Sequence, residues 1–249
     1  MKKLILVSII MILFFYPVNM QAAVEIPICT ESGIQLHPDI SGDRVVWEDG
    51  RGGSYTNIYM YDYADQSTIE IPTGEFSAFL PSISGVNIIW KEAVDSAISS
   101  INIYCYNIIA ETHQLIETGI SISNLTKPIS ISANKIVYEK AGTLWIYDLA
   151  NNTKEALGDG TYARTDGYRV ACLWPMGNPE VYVYDLYGSD SRYVTNDSLW
   201  QYTPDISGNR VVWSDSRRDE GSGGIWDIVM YNLNDDTVEV ITSNLPPRY

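Results

Sequence analysis

A ten-residue block occurs twice in this chain, and it constrains the fold more than any other feature. The copies run Pro38-Asp-Ile-Ser-Gly-Asp-Arg-Val-Val-Trp47 and Pro204-Asp-Ile-Ser-Gly-Asn-Arg-Val-Val-Trp213 and differ at one position in ten. Three weaker copies begin at Pro81, Pro128 and Asp166. Five related segments spaced along the chain predict a repeat architecture, in which each repeat is one supersecondary unit.

A second block follows each copy and checks the repeat independently. It is a short apolar and aromatic run that ends in Tyr-Asp or Tyr-Asn. Its tyrosines are 45, 41, 37 and 47 residues apart, a period typical of four-stranded propeller blades. These tyrosines are Tyr61, Tyr106, Tyr147, Tyr184 and Tyr231.

Each repeat predicts four short β-strands rich in β-branched and aromatic residues. The middle strands are apolar on both faces, as expected for a sheet packed between two neighbours. We therefore predict an all-β fold, a propeller of five four-stranded blades. The repeats cover approximately residues 30–74, 75–119, 120–158, 159–196 and 197–243.

The five blades are expected to close a ring, because a blade cannot bury its faces alone. The segment from Val24 to Cys29 resembles an extra outer strand. It either completes the ring beside the last blade or indicates that the chain is part of a larger array.

The repeat resembles the TolB-like (WD40-like) propeller repeats of prokaryotic exported and cell-surface proteins. The resemblance rests on Pro-x-Ile-Ser-Gly-(Asn/Asp)-Arg-Val-Val-Trp-x-Asp-x-Arg followed by Asp-Ile-Tyr-x-Tyr-(Asp/Asn)-Leu, and it extends from Val24 to Thr242. It implies a propeller that presents a protein-interaction or envelope surface, with no catalytic residues to transfer. The third and fourth repeats lack Trp-x-Asp-x-Arg, which indicates remodelled loops there.

The N-terminus has the anatomy of a secretory signal peptide. Two lysines precede an apolar run from Leu4 to Val18, and small residues follow at Ala22 and Ala23. We expect residues 1–23 to be removed, leaving 24–249 as one propeller domain with no membrane span; retention as an N-terminal anchor is the alternative. The predicted location is the periplasm, the cell surface or the extracellular space.

The charge balance excludes one class of partner. The chain carries 31 Asp and Glu against 16 Lys and Arg, a formal net charge of −15. A nucleic-acid-binding protein needs a basic footprint for the phosphate backbone, so we expect no nucleic-acid partner. The acidity is interpreted as keeping an exported protein soluble.

Three cysteines are an odd number for an exported chain, so at most one disulfide can form. Cys105 and Cys172 lie in apolar strand segments and are expected to be buried free thiols, while Cys29 lies near the start of the mature chain.

Polar residues that recur at one repeat position are interpreted as part of the fold. Asp39 and Asp205 recur and are assigned to turn or inter-blade hydrogen bonding. The pairs Asp49 with Arg51 and Asp215 with Arg217 recur after the repeat tryptophan, and they predict structural ion pairs.

Residues unique to one loop are the better candidates for binding. In a propeller the loops between the second and third strands emerge at the same end as the connections between blades, and we call this end the long-loop face. Long variable loops on a rigid scaffold are where binding usually resides, and Trp, Tyr and Arg are the types enriched at hot spots. The candidate binding residues are Trp200, Arg217, Arg218, Trp226, Phe76, Tyr162 and Arg164.

Catalytic motifs are absent from the sequence, which has no Gly-x-Ser-x-Gly, His-Glu-x-x-His, phosphate loop or Cys-x-x-Cys. With only two histidines, a His-based triad is improbable. A carbohydrate-active enzyme is the alternative, because propellers can host carboxylate catalysis. The candidate carboxylates for such an enzyme are those that recur less at repeat positions, Asp95, Glu139, Asp159 and Glu180.

No cofactor is expected. The segment around Asp215, Asp219 and Glu220 is rich in Asp and Gly and is a weak calcium candidate, since it matches no complete loop pattern.

The sequence thus predicts an exported, non-enzymatic propeller that binds an envelope protein or a surface glycan through its long-loop face. A structural surface-coat module that self-associates is a further alternative. The fold carries most of this functional argument, and fold alone does not fix function.

Overall fold

The computed structural model describes residues 25–175, 177–217 and 226–242. The predicted signal peptide lies outside these residues. Residues 25–30 belong to a separate compact unit and contain no strand. The extra outer strand predicted from Val24 to Cys29 is therefore wrong for its described part; Pro27 has no amide hydrogen to donate to a strand ladder.

From Glu31 onward the described chain folds into five four-stranded antiparallel sheets, which confirms the predicted all-β propeller of five blades. In each sheet the strands lie side by side in chain order, as in an up-and-down meander. Blades 1 and 2 consist of β1 (Gln35–Ser41), β2 (Arg44–Asp49), β3 (Asn57–Asp62), β4 (Ser67–Glu70), β5 (Ala78–Ser84), β6 (Asn87–Ala93), β7 (Ile101–Asn107) and β8 (Thr112–Ile120).

A short 3-10 helix (Ile122–Asn124) connects blade 2 to blade 3. Blades 3 to 5 consist of β9 (Ser130–Ser132), β10 (Lys135–Lys140), β11 (Thr143–Asp148), β12 (Thr153–Asp159), β13 (Thr161–Thr165), β14 (Arg169–Trp174), β15 (Glu180–Asp185), β16 (Arg192–Tyr193), β17 (Gln201–Ser207), β18 (Arg210–Asp215), β19 (Asp227–Asn232) and β20 (Thr237–Val240).

The repeated Ser-Gly dipeptides form the tight turns between the first two strands, as the sequence predicts. Gly42, Gly85 and Gly208 have φ between 56° and 58°, a conformation that glycine adopts without steric cost. The turns leave the long connections at the opposite end of each blade.

Four of the five innermost strands carry a β-bulge just before the Pro-Asp-Ile-Ser segment or its equivalent. His37, Leu80 and Thr203 occupy this position with φ of 50°, 50° and 44°. The shared backbone conformation assigns His37 to a structural position of the repeat. A bulge twists and re-aims the strand that carries it.

The core consists of four apolar clusters, one between each pair of consecutive blades. Strand β1 packs closely on β5 of blade 2 but has no comparable packing against β17 of blade 5. The expectation that the five blades close a ring is therefore wrong for the described residues. On the faces that would meet, Ile40 of blade 1 and Ile228 and Ile241 of blade 5 are exposed to solvent.

Cys105 and Cys172 lie in these clusters as buried free thiols, as predicted, and burial raises the pKa of the Cys105 thiol to about 12. Within the described ranges, no helix is long and apolar enough to span a membrane.

Candidate functional site

The long-loop face of blades 4 and 5 carries a row of three aromatic side chains. Tyr162 lies 6.2 Å from Tyr202, and Tyr202 lies 5.7 Å from Trp226, measured between ring centroids. Tyr202 and Trp226 are exposed, while Tyr162 is half-buried against the core between the two blades. We call these three residues the aromatic row.

The positions of the three rings follow from the strands that carry them. Tyr162 and Tyr202 are the second residues of the neighbouring innermost strands β13 and β17, and Trp226 directly precedes β19. The packed core between blades 4 and 5 holds these strands together. Trp200 lies two residues before Tyr202 and is also exposed; its amide donates to Ser216 Oγ at 2.8 Å, which ties the blade connection to the end of β18.

Beside Trp200 in blade 5, Arg217 is held by an ion pair within its own repeat. Its Nε and Nη2 donate to the two carboxylate oxygens of Asp215 at 3.0 and 3.1 Å, and Trp213 Nε1 donates to Asp215 at 2.9 Å. Arg217 is therefore largely committed to the fold, which makes it a weaker binding candidate than the exposed aromatic residues.

Blade 1 has the same clasp of tryptophan, aspartate and arginine, which confirms the predicted structural ion pairs. Trp47 Nε1 and Arg51 Nη2 donate to Asp49 Oδ2 at 2.8 and 2.7 Å. Burial raises the pKa of Asp49, but these hydrogen bonds and the Arg51 charge outweigh it and lower the pKa to about 2. The recurrence of the clasp assigns it to the fold.

The remaining predicted residues are dispersed. Phe76 forms a second aromatic pair with Tyr55, 5.8 Å apart and edge to face, in the connection from blade 1 to blade 2. Arg164 lies on the wall of the central channel, where its Nη1 donates to the Ile129 carbonyl at 3.2 Å, because it belongs to strand β13 and not to a loop. Its assignment to the long-loop face is corrected accordingly. Arg218 lies outside the described residues.

The central channel is a cavity of about 720 Å³ lined by the innermost strands of all five blades. Its wall carries Ser41, Ser84, Ser132 and Ser207 at equivalent positions near the tight turns. Asp39 Oδ2 accepts hydrogen bonds from Ser82 Oγ and the Ile83 amide at 2.7 and 2.9 Å, which confirms inter-blade bonding. Asp205 instead accepts from the amide of its own neighbour, Ile206.

Three of the four carboxylates proposed for glycoside hydrolysis are engaged in separate local structures. Asp95 accepts from the amides of Ala97 and Ser99 in a surface turn, and the hydrogen bonds from Ser99 lower its pKa. Lys127 pairs with Glu139, and Thr195 donates to Glu180, so both of these carboxylates are held by their own blade or its connections. At Asp159 it is the backbone carbonyl that accepts from the Tyr184 hydroxyl. No hydrogen bond links any two of these four carboxyl groups.

The calcium candidate is only partly described, since Asp219 and Glu220 lie outside the described residues. Asp215 is fully buried, and its carboxylate accepts hydrogen bonds from Trp213 and Arg217. Within 25–175, 177–217 and 226–242, no three His, Cys, Asp or Glu side chains are grouped so that they could hold a metal ion.

Sequence reasoning missed two residues. Tyr202 occupies a repeat position that carries Leu36 and Phe79 in blades 1 and 2, so the sequence does not distinguish it as a binding residue. Lys91 is almost completely buried and donates to the backbone carbonyls of Asn124 and Lys127. Burial lowers the pKa of Lys91 to about 7, although the nearby Glu139 charge opposes the shift. The repeat pattern contains no signal for either residue.

No protein-family model and no curated protein matches this chain. Solved structures do resemble it. It is similar to TolB from Acinetobacter baumannii (14% identity, TM-score 0.54, 74% of this chain and 48% of that one) and to a putative TolB from Agrobacterium tumefaciens (15%, 0.60, 86% and 82%). It also resembles an acylaminoacyl peptidase from Pyrococcus horikoshii (11%, 0.59, 83% and 38%).

These similarities confirm the TolB-like propeller at the level of the fold. The chain spans about half of the length of the Acinetobacter TolB and little more than a third of that of the peptidase. At these identities the likeness extends to the arrangement of blades, and function has to be argued from the site.

Proposed function

We propose that this chain is an exported, non-enzymatic β-propeller that binds an envelope protein through the aromatic row on its long-loop face. The observation that carries the proposal is the exposure of Tyr202 and Trp226 together, next to the half-buried Tyr162. Tyrosine and tryptophan provide large contact areas at low entropic cost, and they dominate binding hot spots.

The ring geometry favours a protein partner over a glycan. The planes of Tyr162 and Tyr202 are inclined by 50°, and those of Tyr202 and Trp226 by 74°. Such inclined rings form an uneven apolar surface into which side chains can pack, whereas a sugar ring stacks best on an exposed flat face. The similarity to two TolB structures is in keeping with an envelope role.

The acidic composition supports the same proposal. With a net charge of −15, the protein attracts partners that carry positive charge and accelerates their encounter, especially at low salt. The proposed partner is therefore an envelope protein with a basic surface around an apolar contact. The non-enzymatic part of the proposal is supported by the separate local roles of the Asp95, Glu139 and Glu180 carboxylates.

The test compares variants at the two ends of the blades. The purified protein captures a partner from envelope extract, the partner is identified and purified, and its affinity is measured by calorimetry. Tyr202→Ala or Trp226→Ala is expected to weaken binding about thirtyfold, the ratio for a hot spot of about 2 kcal/mol.

The matched control replaces Tyr168 and Tyr187 by alanine. These two exposed tyrosines contact each other at 5.7 Å at the tight-turn end, away from the long-loop face. Equal loss of affinity in both sets of variants would reject the aromatic row as the binding site. Binding of purified envelope polysaccharide in place of a protein, lost in the same variants, would replace the proposed partner by a glycan.

A further inference from the structure

Each blade has two apolar faces, and the gap between blades 5 and 1 leaves one of each uncovered. We call the face that packs on the preceding blade the leading face, and the face that packs on the following blade the trailing face. Ile40 on the leading face of blade 1 is 66% exposed, whereas its equivalents Ile83 and Ile206 are 4% and 6% exposed. The gap therefore exposes residues that every other interface buries.

The trailing face of blade 5 shows the same contrast. Ile228 is 40% exposed and Ile241 is 49% exposed, whereas the equivalent Ile58 and Ile71 of blade 1 are completely buried. The equivalence is set by the strand register and by matching hydrogen bonds: the Ile241 amide donates to the Ile228 carbonyl at 2.8 Å, as the Ile71 amide does to Ile58. A contiguous exposed apolar patch on a monomer usually marks a binding surface.

The repeat identifies what fits the trailing face of blade 5. This face consists of Val212, Ile228, Met230 and Ile241, and the trailing face of blade 1 consists of the same residue types in the same order. Blade 1 buries its version under the leading face of blade 2. The complement of the exposed face is therefore the leading face of a blade of this type.

Part of a matching leading face is accessible on the chain itself. Blade 2 covers blade 1 with Ile83, Ile88, Trp90 and Tyr106. The equivalent positions of blade 1 are Ile40, which is exposed, Val45 and Tyr61, which are half-buried, and Trp47, which is buried. Three of the four residue types are identical, and the fourth changes isoleucine to valine. Within one molecule these two complementary faces do not pack on each other.

We propose that the trailing face of blade 5 docks on the leading face of blade 1 of a second copy of this chain. The contact reproduces the interface between blades 1 and 2, which is part of the fold of every copy. Because it joins two different surfaces, it is heterologous and leaves one free face at each end of a pair. Copies therefore add head to tail, or stop when the array closes.

A pair of aspartates is expected to weaken the contact between two copies. In the interface between blades 1 and 2, the Asp39 carboxylate accepts from the Ser82 hydroxyl. The equivalent of that pair between two copies is Asp205 against Asp39, because blade 1 has aspartate where blade 2 has Ser82. Two carboxylates repel each other, so the contact is weaker than its intramolecular counterpart and reversible with concentration.

Sedimentation velocity of the purified protein over a range of concentrations tests the proposal. The expected result is concentration-dependent assembly that Ile228→Lys or Ile40→Lys weakens at least about tenfold, a change of about 1.4 kcal/mol. Asp205→Asn keeps the acceptor for the Ile206 amide and is expected to strengthen assembly severalfold. Ile109→Lys is the matched control, since Ile109 is 72% exposed in a turn of blade 2 outside both faces.

The rate at which a thiol reagent modifies a cysteine introduced at position 228 distinguishes a covered face of blade 5 from an uncovered one. Assembly that is unaffected by Ile228→Lys would overturn the proposal. A protein that stays monomeric would also overturn it: slow modification of Ile228→Cys would then show that blade 5 closes on blade 1 of the same molecule, and fast modification that nothing covers the face. Because the aromatic row is untouched, failure here is distinct from failure of the proposed function.

Discussion

The interface between blades 1 and 2 and the gap between blades 5 and 1 are lined by nearly the same residue types. The interface is packed and excludes solvent, whereas the gap exposes Ile40, Ile228 and Ile241. Ile58 and Ile228 occupy equivalent positions in repeats that share nine of ten residues in their most similar block. Only Ile58 is buried. The comparison shows that a repeat determines the structure of each blade, while the burial of its faces depends on whether a neighbour is present.

The sharpest test of this difference is truncation of the two isoleucines. Ile58→Ala is expected to lower the free energy of unfolding by about 4 kcal/mol, because it leaves a cavity in a packed interface. Ile228→Ala is expected to cost about 1 kcal/mol or less, because its side chain already contacts water. Urea denaturation at a concentration where the protein is monomeric measures both, and equal losses would mean that the gap is closed in solution.

Loss of the tryptophan–aspartate–arginine clasp is expected to lower stability by the same amount in blades 1 and 5, because each clasp is formed within one blade. Asp49→Asn and Asp215→Asn should each lower the free energy of unfolding by about 3 kcal/mol, because a half-buried arginine loses its fully buried carboxylate partner. The folded pKa of Asp49 of about 2 lies below the unfolded value of about 3.9, so its stabilisation is complete above pH 4 and is lost as the pH falls towards 2.

Thermal unfolding of the wild type and Asp49→Asn between pH 5 and pH 2 checks this dependence. The difference between the two proteins should shrink as the solution becomes acidic. A difference that is independent of pH would show that the Asp49 carboxylate is not preferentially charged in the folded state.

The smallest expected contrast involves the two recurring aspartates. Asp39→Ala removes hydrogen bonds to Ser82 and Ile83 across an interface and is expected to cost about 1 to 2 kcal/mol. Asp205→Ala loses one local bond at an exposed position and should change stability by less than about 0.5 kcal/mol. Guanidinium denaturation of both variants measures the contrast, and a larger loss for Asp205→Ala would reverse the assignment of the packed and open sides.

Much of the fold could be predicted from the repeat because the information is local. The Ser-Gly turns, the short apolar strands and the pairing of Asp49 with Arg51 all depend on residues close in sequence. Ring closure could not be predicted, because it depends on the angle between consecutive blades, which no residue pattern encodes directly. The repeats alone indicated five blades and gave no signal that two faces would remain uncovered.

Only part of the candidate site could be predicted from the sequence, because contacts between blades assemble it. Trp226 lies outside the repeated blocks and could be selected. Tyr162 and Tyr202 both occupy repeat positions, and only Tyr162, in the least regular repeat, was selected. Arg164 was assigned to the long-loop face, but it is a residue of strand β13 that pairs with Ala171 and lines the channel. Contacts between blades, which assemble the aromatic row, are not visible in the repeat pattern.

The clasp of tryptophan, aspartate and arginine also has a consequence for how the molecule acquires its structure. Its three side chains lie within five consecutive residues of a hairpin, so it forms with almost no loss of chain entropy from loop closure. The blades meet only their neighbours, as in a linear repeat array, and such chains fold by local nucleation followed by propagation. Blades 1 and 5 each have a single neighbour in the described structure, so their hydrogen-bonded amides are expected to exchange with solvent before those of blades 2 to 4.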